Sequence, residues 1–169
     1  MKSNTKHIAI LGILIAAATA VHYIEGLLPS LILGVPIKLG LANIFTLYTL
    51  IKFSRRDALI LTVLKSILGS FLSGAISGML YSLTGGMLAF LAMSMLLELY
   101  IKKRISAIGM SVCGSFFFNL GQLVVGSFLN GPAMLLYFPM MSILSIPTGF
   151  FVGLITTLML TKLPDIRKE

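Results

Sequence analysis

Long apolar runs broken by short polar clusters dominate the chain. The pattern predicts six helical segments, at roughly 7–28, 38–53, 57–74, 79–101, 105–129 and 133–162. A helix needs about 20 apolar residues to cross the hydrocarbon core of a bilayer. Most of the segments reach that length. The second is short. The sixth is long and contains Pro147, which predicts a kink or an interfacial turn. The pattern therefore predicts an all-α integral membrane protein of six transmembrane helices, forming a single transmembrane domain over residues 1–169.

Composition strengthens this picture. Of 169 residues, 57% are hydrophobic and 11% are charged, against roughly 25% charged in a soluble domain. Mean hydropathy is +1.03. These values exclude an ordinary soluble enzyme, a disordered chain and a disulfide scaffold. The lone cysteine, Cys113, sits in an apolar run and reads as a packing residue. Ala18-Thr19-Ala20 has the small-x-small form of a signal-peptidase site. The apolar run continues to Leu28, however, so the segment reads as a retained helix.

The net charge of +8 sharpens the topology. Lys2 and Lys6 precede the first segment, and Lys52, Arg55 and Arg56 join the second to the third. Lys102, Lys103 and Arg104 join the fourth to the fifth, and Lys162, Arg167 and Lys168 end the sixth. With six crossings, 11 of the 13 basic residues share one side. The positive-inside rule makes that side, and both termini, cytoplasmic. The basic excess is thus a topology signal rather than a nucleic-acid surface. Glu98, four residues before Lys102, reads as a snorkelling or paired interfacial group at the same end.

Lys38 and Lys65 break the rule. Lys38 precedes the second segment on the outer side. Lys65 lies about 12 Å into the third, near mid-membrane. Intramembrane ionisable groups are costly and usually face a cavity or the bundle interior. His22 and Glu25 share a helix face three residues apart. Ser111, Ser115, Asn119, Gln122 and Gly126 form one stripe along the fifth segment, and Thr62, Lys65, Ser66, Gly69 and Ser73 another along the third. His22, Glu25, Lys38, Asn43, Asn119 and Gln122 fall at similar depth, with Lys65 below them. Two readings stay open: an outward-facing polar pocket, or interhelical hydrogen bonds that hold the bundle together. As a pocket, the set suits an organic ligand bearing an anionic group. It offers one carboxylate, one His and no Cys, which is too few ligands for a metal site.

Gly12, Ala16 and Ala20 repeat at spacing four on the first segment, a small-residue stripe that permits close helix approach. Its partner is either a neighbour within the bundle or another protein. Gly69, Gly74, Gly78, Gly85 and Gly86 cluster around the turn between the third and fourth segments. No Walker A motif is present, so the chain has no ATP-hydrolysing site of that kind.

The runs His22-Tyr23-Ile24-Glu25, Lys38-Leu39-Gly40-Leu41-Ala42-Asn43, Leu83-Thr84-Gly85-Gly86 with Met93, and Asn119-Leu120-Gly121-Gln122 resemble the Gx transporter family. That family is often labelled heptaprenyl diphosphate synthase component I. It is similar to the substrate-binding S components of energy-coupling factor (ECF) transporters. The resemblance covers nearly the whole chain, with Lys65 standing where the family commonly shows an arginine. It implies an S-component-like bundle that captures a small micronutrient from outside. The implied partners are a transmembrane coupling protein and two cytosolic ATPases, in the plasma membrane. It also implies that Gly12, Ala16 and Ala20 form the docking surface, and that residues 29–37, with Pro29, Gly34 and Pro36, act as an outer lid.

The enzyme label is open to an independent test. Prenyl-chain elongation handles diphosphates through magnesium, which requires clustered carboxylates. The five acids are Glu25, Asp57, Glu98, Asp165 and Glu169, with no aspartate-rich motif. The expectation is therefore a non-enzymatic subunit without a cofactor. The alternatives are a non-catalytic membrane subunit of polyprenyl diphosphate synthesis and a stand-alone small transporter.

Overall fold

The computed structural model describes residues 2–27, 38–74 and 76–163. The proposed lid at 29–37 and the basic tail at Arg167 and Lys168 lie outside these residues. Among the described residues the long elements are all helices, six in number: α1 Lys2–Leu27, α2 Asn43–Lys52, α3 Arg55–Leu72, α4 Ile76–Ile101, α5 Ala107–Asn130 and α6 Phe138–Lys162. Four stretches of the described residues are long and apolar enough to cross a membrane: Thr5–Leu27, Ser77–Ile101, Ala107–Asn130 and Pro132–Lys162.

The second segment departs from expectation. The run 38–53 predicts one helix, but α2 begins only at Asn43 and has 10 residues, about 15 Å of helix. Gly40 takes a φ of +84°, a backbone conformation open to glycine and strained for other L-residues. Residues 38–42 therefore form a non-helical strap ahead of α2. Such a short helix can persist because it is enclosed: α2 packs against α1, α3, α4 and α6. Seven of its residues, from Asn43 to Leu50, are buried.

Side-chain caps and special backbone angles set the other breaks. Ser54 caps α3: its Oγ accepts from Asp57 N at 3.1 Å and donates to Asp57 Oδ2 at 2.7 Å. A cap of this kind contributes about 1 kcal/mol. Ser106 caps α5 by accepting from Gly109 N at 3.1 Å. Gly131, with φ +96°, and Pro132 open a 3₁₀ turn, Pro132–Tyr137, that leads into α6. Pro147 makes no such turn: α6 runs as helix from Phe138 to Lys162 through it, and the break in the sixth segment lies at Pro132–Tyr137 instead.

Helices α4, α5 and α6 pack as neighbours in that order, and α1 packs mainly on α3. Glycines set the closest approaches. A Cβ on Gly121 would lie 2.8 Å from Gly85 Cα, so α4 and α5 meet backbone to backbone. Gly149 and Gly153 of α6 face the backbone of Val112 and Ile108 on α5 in the same way. Close approach of this kind is the main source of helix adhesion in lipid, where apolar side chains gain nothing by leaving one oil for another.

The basic residues gather at one end of the bundle. His7 at the start of α1 lies 3.3 Å from Asp57 at the start of α3, and Arg55 lies 3.6 Å from Glu98 near the end of α4. Phe53, after α2, shares an apolar cluster with Met159 and Leu160 of α6 and Ile10 of α1. Glu98 is thus a paired group, and its partner stands on a neighbouring helix rather than on its own.

Candidate functional site

The seven polar residues singled out from the sequence meet around the strap. All are buried, the most accessible being Lys38 at 7%. Buried polar groups are costly unless paired, and the pairing here follows a definite plan.

The strap needs partners first. Its backbone groups have no helix to satisfy them, and non-helical backbone at membrane depth persists only where protein supplies the missing bonds. Gln122 on α5 supplies two. Its Oε1 accepts from Lys38 N at 2.8 Å, and its Nε2 donates to Lys38 O at 2.9 Å. Glu25 on α1 supplies the next two: its Oε1 accepts from Gly40 N and, at 3.3 Å, from Leu41 N. The Asn43 and Ile44 amides bond back to Gly40 O and Leu41 O and start α2. Asn119 ties α5 to α6: its Nδ2 donates to Met141 O at 2.9 Å, and its Oδ1 receives a longer bond of 3.5 Å from Gln122.

The remaining ionisable groups sit around this frame. Lys38 Nζ donates to His22 Nε2 at 2.8 Å, which places the imidazole proton on Nδ1. Lys65, on α3, donates from Nζ to Asn43 Oδ1 at 2.7 Å. The Glu25 carboxylate interacts electrostatically with both Lys38 and Lys65. Its Oε2 is buried without a hydrogen-bond partner among the described residues. His22 packs against α3 at Gly69, where any Cβ would collide with the ring.

The arrangement divides the seven residues into two groups. Gln122, Asn119 and Glu25 Oε1 are committed to backbone groups and to each other. Among the described residues, the ammonium groups of Lys38 and Lys65 each make one of three possible bonds, and Glu25 Oε2 makes none. The spare capacity thus consists of two cationic donors and one anionic acceptor. This is chemistry for holding an anionic group that carries a hydrogen-bond donor beside it.

The sequence pattern does not single out the Gly40 and Leu41 amides or the Met141 carbonyl. Main-chain partners leave no mark in side-chain chemistry. It places Gly69 in the stripe with Lys65 but does not assign it to the His22 ring.

The stripe on α1 faces away from this centre. Leu14, Ala18, Thr19, His22 and Glu25 form the buried side of α1, whereas Gly12, Ala16 and Ala20 are exposed. A Cβ on Gly12 would meet nothing within 4 Å. Among the described residues, therefore, the stripe is not the face of α1 that packs into the bundle.

The family model described as heptaprenyl diphosphate synthase component I matches residues 14–159. The match spans α1 to α6 and includes every residue of the polar centre. No curated protein and no solved structure matches the chain. The chain belongs to the heptaprenyl diphosphate synthase component I family.

Proposed function

We propose that this member of the heptaprenyl diphosphate synthase component I family is a binding and transport subunit rather than an enzyme. In this reading it crosses the plasma membrane six times with both termini in the cytoplasm. It captures a small organic solute bearing an anionic group, in the manner of an S component of an ECF importer. The observation that carries the reading is the unevenly spent polar centre. Two lysine ammonium groups and one carboxylate oxygen converge, buried, with bonding capacity left over. Intramembrane ionisable groups of this kind mark solute pathways and ligand sites.

In this reading α2, whose 10 residues reach about 15 Å, spans only part of a core of about 30 Å, and the strap ahead of it lies at membrane depth. The clustering of Lys6, Lys52, Arg55, Arg56 and Lys102–Arg104 at one end favours a cytoplasmic assignment for that end. The exposed small-residue face of α1 offers a docking surface for a transmembrane coupling protein, with ATP hydrolysis in two cytosolic partners driving release inward.

The test is native mass spectrometry of protein purified in mild detergent. Wild type is expected to retain a small molecule that Lys65→Met and Lys38→Met each release while keeping the folded state. Retention by both variants overturns the site. The family description favours a second reading, a non-catalytic membrane subunit of polyprenyl diphosphate synthesis. Co-expression with a soluble prenyltransferase subunit separates the two: activity that neither protein has alone supports the second.

A further inference from the structure

A second feature lies at the opposite end of the bundle from the strap. The turn between α4 and α5 folds back tightly. Lys102 N bonds Glu98 O at 3.0 Å, Lys103 N bonds Tyr100 O at 2.9 Å, and Arg104 N bonds Leu99 O at 2.8 Å. Lys103 adopts a φ of +57°, a left-handed conformation costly for a side chain with a Cβ. The turn encloses a concavity of about 530 Å³ lined by Tyr100, Ile101, Lys103, Arg104, Ile105 and Ser106. Two cations thus share one wall with a tyrosine and two isoleucines. Glu98, one turn earlier, is already engaged by Arg55 at 3.6 Å.

Below this basic shelf runs an apolar track. Leu91, Met95 and Leu99 repeat at spacing four on the outer face of α4, and Met95 is 77% exposed. The Leu99 carbonyl bonds the Arg104 amide, so the track and the shelf are joined at that point. A cationic head site at the end of a lipid-facing apolar track matches an amphiphile with an anionic head and an acyl tail. Basic pockets at the ends of membrane helices recognise anionic lipid headgroups through this combination.

We propose that the α4–α5 turn is a binding site for an anionic phospholipid. Lys103 and Arg104 hold the headgroup phosphate, and the acyl chain lies along Leu99, Met95 and Leu91. The site is independent of the transport reading and stands if that reading fails.

The test uses purified full-length protein offered phosphatidylglycerol or phosphatidylcholine of identical acyl chains, with bound lipid counted by native mass spectrometry. Wild type is expected to prefer phosphatidylglycerol. The double variant Lys103→Ala/Arg104→Ala should bind it about thirtyfold more weakly, from roughly 1 kcal/mol per basic residue near the surface. Arg104→Lys should keep most of the preference. Lys162→Ala, also exposed but outside the concavity, should leave it unchanged. If the double variant does not fold, Arg104→Gln against Arg104→Lys makes the same comparison. Equal retention by wild type and the neutral variants overturns the proposal. So does displacement of the lipid by equimolar inorganic phosphate, which would make this a site for the free ion.

Discussion

The side-chain amide of Gln122 holds both backbone polar groups of Lys38, its Oε1 accepting from Lys38 N at 2.8 Å and its Nε2 donating to Lys38 O at 2.9 Å. The two residues are 84 positions apart, and this pair locks the strap to α5. Lys38 is thus both a candidate ligand-binding charge and a backbone element held by Gln122.

Gln122→Ala should therefore cost more than its polarity suggests. It leaves two buried main-chain groups unpaired, each worth about 1–3 kcal/mol, so a loss of at least about 2 kcal/mol is expected. Asn119→Ala removes one good bond, to Met141 O, and should cost about 1 kcal/mol or less, as is usual between membrane helices. Reversible unfolding in mixed micelles ranks the two. The reverse order would show that the strap does not depend on Gln122.

Glu25 combines two tasks that substitution can separate. Its Oε1 holds the Gly40 and Leu41 amides, and its charge faces two buried lysines. Glu25→Gln keeps an acceptor for the strap and removes the charge, whereas Glu25→Ala removes both. Glu25→Ala should be the less stable. Adding Lys65→Met to Glu25→Gln removes a cation that has lost its counter-charge. The double variant should then be destabilised by about 1 kcal/mol less than the sum of the singles, within the coupling range of contacting groups. Strict additivity in a double-mutant cycle would disprove the interaction.

Two glycine substitutions test which side of α1 is the inner one. At Gly69 on α3 an added methyl runs into the His22 ring. Overpacking of this kind costs about 1–3 kcal/mol and should displace His22 from Lys38, weakening solute retention. At Gly12 an added methyl meets nothing within 4 Å. Gly12→Ala should be neutral or slightly stabilising, since alanine is the better helix former. Melting temperatures of the two variants measured in the same detergent make the comparison.

Much of this centre is legible in the sequence because a polar residue in an apolar run has few reasons to be there. His22, Glu25, Lys65, Asn119 and Gln122 stand out for that reason, and the structure brings them together. The start of α2 is not legible. Lys38-Leu39-Gly40-Leu41-Ala42 is as apolar as a helix, and only the φ of Gly40 and the acceptors on α1 and α5 reveal an unwound strap. The outward direction of Gly12, Ala16 and Ala20 is also hidden. Lipid and bundle interior are equally apolar, so hydropathy carries no contrast across such a helix. Only the polar residues Thr19, His22 and Glu25 mark its inner side.

The α5–α6 contact depends on the absence of side chains at Gly149 and Gly153, whose Cβ positions fall on the backbone of Val112 and Ile108. Backbone cannot rotate away as a side-chain tip can. Gly149→Ala should therefore force the helices apart and lose about 1–3 kcal/mol. It should also stretch the Asn119–Met141 bond that ties the same two helices. Reduced stability together with faster amide exchange along α6 would be the signature. Unchanged stability would mean that the two helices are held by other contacts.

Ala16→Leu tests the outer face of α1 against the function proposed for it. Ala16 is exposed, midway between Gly12 and Ala20, so a larger side chain there projects into lipid and disturbs nothing in the bundle. Folding stability and solute retention should equal those of wild type. A coupling protein that approaches along the small-residue stripe would meet the added isobutyl group at a position where close backbone contact is required. Co-purification with the coupling protein should fall by at least about tenfold, the effect of losing roughly 1.4 kcal/mol of association energy. Gly12→Leu, one turn away, should act in the same direction, whereas Ile24→Leu, also exposed on α1 but without a small residue to lose, should have no effect. If the Ala16→Leu variant forms the complex as well as wild type does, the stripe is a lipid-facing surface and docking must be sought elsewhere on the bundle.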